Sequence, residues 1–269
     1  MTQTAAGPLD RGSGNPTLNE NFVETHLVAA EASARTMSVA GVTFKTLVFL
    51  VVLVAGGAWG WASATQPVGA DLGQGYANTT VTIPGGFWLA SFSAFVLGIM
   101  TAVSPLRARF LGILYALAEG FCLGAISAMF DAQTEGIVGA AVLSTVCVFA
   151  VALFLYATRI VRPTQRMAFV VIAGLGGLAL LYLFVWVLAI FDWSWLYSDS
   201  FRTIGIVVTI IAVILAAMSL MLDFATIDIG VKAGAPKPFE WYVAFGLMVT
   251  LVWLYLTILR LLALLARNQ

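Results

Sequence analysis

Long apolar runs separated by short polar segments occupy the chain from about residue 41 onward. A helix that crosses a bilayer needs about 20 mostly apolar residues. Seven runs have about that length: 41–63, 86–104, 110–130, 136–158, 167–191, 203–222 and 239–265. Because none of them alternates polar and apolar positions with period two, they favour helices over barrel strands. The pattern predicts an all-α integral membrane protein with seven transmembrane helices.

Composition excludes several other classes of protein. Hydrophobic residues make up 61% of the 269 residues and charged residues 10%, against about 45–50% and about 25% in soluble domains. The composition therefore predicts that the protein lies in a lipid bilayer, which is its expected partner. Lys+Arg and Asp+Glu are both 13 and form no basic block, which excludes a nucleic-acid partner. The two cysteines, Cys122 and Cys147, lie inside apolar runs, which excludes a disulfide scaffold.

The chain divides into two parts with a predicted orientation. Residues 1–40 form a polar cytoplasmic tail with a possible short helix near 21–34, and residues 41–269 form the transmembrane domain. Basic residues favour cytoplasmic loops. A cytoplasmic N-terminus and an outside C-terminus place ten of the 13 basic residues inside and leave Arg202, Arg260 and Arg267 outside. Trp193, Trp195 and Tyr197 would then lie in an outer aromatic belt.

Motifs typical of enzymes are absent from the sequence. There is no G-x-S-x-G, H-E-x-x-H, P-loop or Cys/His metal spacing, and the single histidine, His26, lies in the tail. We expect no enzymatic activity and no cofactor. Glycines inside the spans, such as Gly56 with Gly60 and Gly120 with Gly124, predict close helix packing. The same interpretation applies to the glycine-rich stretch 174–177.

Acidic residues in or near the membrane are the informative ones, because an ionisable group in a span is costly. Glu119 lies near the middle of span three, where burial disfavours its charged form. It either joins helices by a hydrogen bond or lies on an ion or proton path. Asp223 is predicted to end span six, as a gate, a cation ligand or a solvated helix end. Asp228 follows five residues later and would point elsewhere if the helix continued.

Glu240 opens span seven after Pro238, where an acid suits the helix N-terminus. Arg107 and Arg109 occupy a short inside turn. They either satisfy positive-inside topology alone or supply one partner for Asp223 in a pH-dependent latch. Deep in span seven, Arg260 either snorkels to the interface or pairs with a buried acid.

Four stretches in order carry a family resemblance: Asn15-Pro16 with Arg35-Thr36-Met37, then 118–127, 222–228 and 240–262. With seven spans, they resemble the Bax inhibitor-1 (transmembrane Bax inhibitor motif) family, in particular the branch common in actinobacteria. The resemblance implies a last helix surrounded by the other six and a pH-sensitive calcium leak. It also implies a proton-sensing pair of aspartates in spans six and seven, latched by an arginine at the end of span two.

The family's functional positions map onto this chain with one departure. Asp223 matches the aspartate of span six, and Glu119 matches the family's intramembrane glutamate. Thr250 stands where the resemblance places the second aspartate, and a threonine cannot share a proton with a carboxylate. Arg107 or Arg109 loosely matches the position at which the resemblance places the latch arginine.

Two functions follow as hypotheses. The first is a passive cation leak, with Ca²⁺ as the ion, in a bacterial inner membrane. Protonation of acids near the cytoplasmic side would gate it, with Asp223, Glu119, Asp228 and Glu240 along the path. Asp223 and Glu119 would be weak calcium ligands. The alternative is a non-transporting regulator that binds a membrane protease or another membrane protein through the tail.

Overall fold

The chain folds into seven helices and one small hairpin within the residues that the structure, a computed structural model, describes: 36–68, 78–191 and 199–266. The helices are α1 Val39–Ala64, α2 Phe87–Val103, α3 Ala108–Gln133, α4 Ile137–Ala157, α5 Gln165–Phe191, α6 Asp199–Lys232 and α7 Phe239–Ala266. A 3-10 turn, Pro105–Arg107, joins α2 to α3. Strands β1 Thr65–Val68 and β2 Asn78–Val81 pair antiparallel between α1 and α2, with Thr65 opposite Val81.

Each predicted span corresponds to one helix, which confirms the all-α membrane architecture. Among the described residues, six helices are long and apolar enough to cross a membrane, and α2 is a shorter apolar helix of 17 residues. The predicted end of span six was wrong, because α6 continues ten residues beyond Leu222, to Lys232. Packing against α4 and α7 keeps this stretch helical, so Asp223 lies inside a helix rather than at its end.

Helix α7 is central, as predicted. It packs against α1, α3, α4 and α6, while α2 packs mainly on α3 and α5 on α6. Single side-chain contacts complete the ring: the Tyr242 hydroxyl donates to the Ala102 carbonyl of α2 at 3.2 Å, and Arg260 donates to the Tyr182 hydroxyl of α5 at 3.2 Å. Consecutive buried residues, such as Val243, Ala244 and Phe245, are typical of a helix surrounded on all sides.

Glycines bring α1 and α3 into backbone contact, as the sequence predicts. A Cβ atom on Gly60 would collide with the backbone of Phe121, and one on Gly124 would collide with the backbone of Gly57. In stretch 174–177 only Gly174 is close to another helix, with Leu215 of α6 2.7 Å from the position of a Cβ atom. Gly176 and Gly177 have no such neighbour among the described residues, so close packing explains only part of that stretch.

Basic residues gather at one end of the bundle, which we call the basic end. It contains the starts of α1, α3, α5 and α7 and the following side chains: Lys45, Arg107, Arg109, Arg159, Arg162, Arg166, Lys232 and Lys237. Met37 donates its backbone N–H to the Ala235 carbonyl at 2.7 Å, which fixes the start of α1 to the loop between α6 and α7. Because seven helices alternate in direction, α7 ends at the opposite face.

Which face is cytoplasmic stays a prediction. Residues 1–35 of the predicted tail, with the possible helix at 21–34, lie outside the described residues, and so do Trp193, Trp195 and Tyr197.

Candidate functional site

Asp223 and Thr250 meet at the packing surface between α6 and α7. Asp223 lies nine residues before the end of α6, and Thr250 lies 11 residues after the start of α7. At 1.5 Å per residue these positions are about 14 and about 16 Å from the basic end. The Thr250 side chain lies beside the Asp223 carboxylate, close enough to act on it. The hydrophobic pattern does not predict that these two side chains are neighbours, whereas the resemblance implies it.

The Asp223 carboxylate is only partly satisfied. Its Oδ2 atom is buried and has no hydrogen-bond partner among the described residues. The Thr250 hydroxyl also lies 3.2 Å from the Gly246 carbonyl oxygen. Since a hydroxyl carries a single hydrogen, it can donate fully to Asp223 or to Gly246, but not to both. A buried acceptor without a donor is costly, so this carboxylate is a candidate for a bound cation or a proton.

Asp228 points away from Asp223, as five-residue spacing on a continuing helix predicts. It accepts a hydrogen bond from Lys232 on the same helix at 2.8 Å, and the Tyr156 hydroxyl of α4 lies close to it. Its side chain is 45% exposed. Asp228 is therefore part of an ion pair at the surface of the basic end.

Glu240 of α7 and Lys45 of α1 form a buried ion pair between the two helices, which we call the tether. The Glu240 side chain is fully buried. It also accepts hydrogen bonds from the Ser38 backbone N–H at 2.9 Å and the Ser38 hydroxyl at 3.2 Å. The same hydroxyl caps α1 by accepting from the Gly41 N–H at 3.1 Å. Both carboxylate oxygens thus have donors, and Glu240 holds the two helix starts together.

The role of Lys45 was not predicted from the sequence. Lys45 is one of the ten basic residues counted on the inside for the predicted orientation. A lysine inside an apolar run needs a partner, and that signal was available. Its partner Glu240 lies 195 positions away, so only the fold could identify the pair. The Lys45 ammonium also lies 5.4 Å from the centre of the Trp241 ring.

Glu119 lies on the face of α3 that meets α2. Tyr115 and Cys122, one turn away on either side, share that face. The Cys122 sulfur is 3.2 Å from the Ser91 hydroxyl of α2, and the Tyr115 ring packs edge-on against Phe245 of α7, at 5.1 Å. Glu119 itself is half-buried, and no hydrogen bond to it is recorded within the described ranges. The structure records no contact between Glu119 and Asp223.

The described residues contain no group of three or more His, Cys, Asp or Glu side chains that could hold a metal ion. Around Asp223 the available oxygen ligands are its carboxylate, the Thr250 hydroxyl and the Gly246 carbonyl. Ca²⁺ takes six to eight oxygen ligands. This arrangement fits a passing or weakly held cation completed by water better than a tight calcium cage.

A family model described as "Bax inhibitor 1 like" matches residues 15–267. The chain belongs to this family. The match includes all seven helices and confirms the resemblance drawn from the four stretches. Searches of curated proteins and of solved structures found no significant match.

Thr250 is the position at which this chain departs from the residue that the resemblance implies. The resemblance places a second aspartate at this position, and the structure brings Thr250 against Asp223. A hydroxyl thus stands where the resemblance places the second acid. That Thr250 takes over part of the role of that acid stays a prediction.

The arginine latch that the resemblance implies is not formed among the described residues. Neither Arg107 nor Arg109 makes an ion pair with Asp223 within the described part of the chain. The Arg109 guanidinium lies 5.9 Å from the centre of the Trp241 ring, beside the tether formed by Lys45 and Glu240. The latch stays a prediction for another state of the protein.

Proposed function

We propose that this protein is a pH-sensitive passive cation leak, with Ca²⁺ as the ion, gated by protonation of Asp223. The observation that carries the proposal is the buried Oδ2 atom of Asp223, which lacks a hydrogen-bond partner among the described residues. An acid inside a membrane-spanning bundle is expensive to keep. A role in binding a proton or a cation accounts for its presence there.

With the Thr250 hydroxyl beside it, Asp223 can bind and release the gating proton without a second acid. When Asp223 is ionised, the Thr250 hydroxyl donates to the carboxylate. When Asp223 is protonated, its own O–H donates to the Thr250 oxygen, and the hydroxyl turns to the Gly246 carbonyl 3.2 Å away. Protonation thus reverses the hydrogen bond between α6 and α7 and removes the negative charge that would attract a cation.

The other candidate acids take different roles in this proposal. Asp228 and Glu240 already have basic partners, so we place them outside the ion path. Glu119, half-buried and without a described hydrogen bond, is the second acid that a cation would meet. With so few ligands, the path holds Ca²⁺ weakly, which suits a leak.

The test is calcium entry into liposomes that contain the full-length protein, measured from about pH 6 to about pH 8, where a buried carboxyl group can titrate. We expect the flux to rise several-fold with pH, because only ionised Asp223 attracts the cation. Asp223→Asn should give a low flux independent of pH. Thr250→Val should change the pH dependence, because Thr250 lies beside Asp223. Thr257→Val should not, because the Thr257 hydroxyl, which donates to the Trp253 carbonyl at 2.7 Å, does not act on Asp223.

Absence of flux at every pH from a folded protein would contradict the leak. It would favour the alternative, a regulator that binds another membrane protein through the tail. Deletion of residues 2–35 separates the two functions, because a leak should survive the deletion and a partner contact should not.

A further inference from the structure

An elongated apolar groove of about 560 Å³ runs between α1 and α4. Leu47 and Leu50 of α1 form one wall, Val142 and Val146 of α4 form the other, and Leu251 of α7 lies on the floor. The groove opens sideways, since Leu47 is 56% exposed and Val146 is 57% exposed. In a bilayer this opening faces the lipid.

The groove has the length of a lipid chain rather than of a compact ligand. Its lining extends from residue 39 to 53 on α1 and from 142 to 156 on α4, a rise of 14 residues on each helix. At 1.5 Å per residue the groove is about 21 Å long. The hydrocarbon core of a bilayer is about 30 Å thick, so the groove extends beyond one leaflet from the basic end.

Hydroxyl groups in the lining are engaged within the protein. Thr43, Thr46 and Thr145 donate to carbonyls of their own helices at 3.0, 3.0 and 2.7 Å. The Tyr255 hydroxyl lies 2.7 Å from the Ser127 hydroxyl. These groups therefore offer little to water or to a hydrated cation, and the inner part of the groove suits hydrocarbon.

The mouth of the groove at the basic end is positively charged. Asp228 lies on the rim, paired with Lys232 at 2.8 Å, and Arg159 is close enough to act on Asp228 electrostatically. Lys232 and Arg159 lie beside the lining rather than in it, and at this rim they outnumber the one acid. The Lys232 side chain is 71% exposed. Arg159 follows the last residues of α4 and ends the helix in a left-handed backbone with φ of 57°, a common conformation just after a helix C-terminus.

We infer that the groove binds an anionic phospholipid, with one acyl chain between α1 and α4 and the phosphate at Lys232 and Arg159. Basic pockets between membrane helices are typical sites for anionic headgroups. The apolar length and the positive mouth together specify this ligand, and neither depends on the proposed leak.

Photo-labelling of the full-length protein tests the site. The probe is phosphatidylglycerol with a photoreactive acyl chain, present in trace amounts in nanodiscs of phosphatidylcholine. We expect labels on the groove faces of α1 and α4. Val146→Trp and Leu47→Trp should each fill the groove and remove most of this label. Leu143→Trp is the matched control, because Leu143 is 67% exposed on the same helix but does not line the groove.

Replacing the two basic residues tests the headgroup. Arg159→Gln and Lys232→Gln should each lower the preference for phosphatidylglycerol over phosphatidylcholine about fivefold. Thermal melting verifies that each variant is folded. If one tryptophan variant unfolds, the labelling is measured with the tryptophan variant on the opposite wall. Labels spread evenly over α5 and α2, or unaffected by either tryptophan, would overturn the proposal. Cross-links from the groove to a second copy or to residues 1–35 would also overturn it, as would an unchanged lipid preference.

Discussion

Two acids that lie between helices in this protein differ in the hydrogen-bond donors available to their carboxylates. Glu240 joins α7 to α1 and is fully buried, with a lysine and two Ser38 donors on its carboxylate. Asp223 of α6 has the Thr250 hydroxyl of α7 beside it and keeps one buried oxygen without a donor among the described residues. The first carboxylate is satisfied and the second is not.

The difference separates a structural acid from a candidate functional one. Removing a partner from a satisfied buried pair leaves an uncompensated charge. An under-satisfied acid already carries a desolvation cost in the folded state, so a proton or a cation can relieve it. From the sequence alone, both residues were candidates for the same ion path.

The largest expected effect comes from breaking the tether. Glu240→Leu should lower the free energy of unfolding by about 3 kcal/mol, because Lys45 is left buried without its partner. Thermal melting in detergent measures the loss. The double variant Lys45→Met with Glu240→Leu should recover most of it. Asp228→Asn, which breaks the exposed pair with Lys232, is the control and should cost about 0.5 kcal/mol or less. A double variant as unstable as the single one would show that packing, not charge, dominates at this position.

A smaller effect should follow from crowding the same tether. A Cβ atom on Gly41 would collide with the Glu240 carboxylate, so Gly41→Ala should cost about 1–3 kcal/mol by displacing that carboxylate from its Ser38 and Lys45 donors. Gly139→Ala is the matched control, because the structure places no atom within 4 Å of the position of its Cβ. That change should be neutral or stabilise by about 0.5 kcal/mol through helix propensity. Equal melting shifts for the two variants would contradict the close approach.

The smallest change in stability is expected at Asp223. Asp223→Asn keeps the shape, removes a buried charge and adds an amide donor, so the free energy of unfolding at neutral pH should change by less than about 1 kcal/mol or rise. The same melting assay measures it. A loss as large as that of Glu240→Leu would remove the distinction between the two acids and assign Asp223 a structural role.

The sequence by itself determined the membrane class, the number of helices and the family. Unpaired backbone groups cannot remain in lipid, so only helices or closed barrels can cross a bilayer, and long apolar runs without period-two alternation favour helices. Small residues at four-residue spacing likewise determined the contact between α1 and α3, since Gly60 and Gly124 allow a backbone approach that larger residues prevent. These are local properties of the chain, and local pattern is sufficient to predict them.

Only the tertiary structure decided which acids have partners. Lys45 and Glu240 are 195 positions apart, and Asp223 and Thr250 lie on different helices. The length of α6 beyond Leu222 was also decided by packing, which carries Asp223 into the bundle and Asp228 to the groove. Whether a carboxylate is satisfied depends on donors brought from distant parts of the chain, and hydrophobic periodicity contains no information about such pairings.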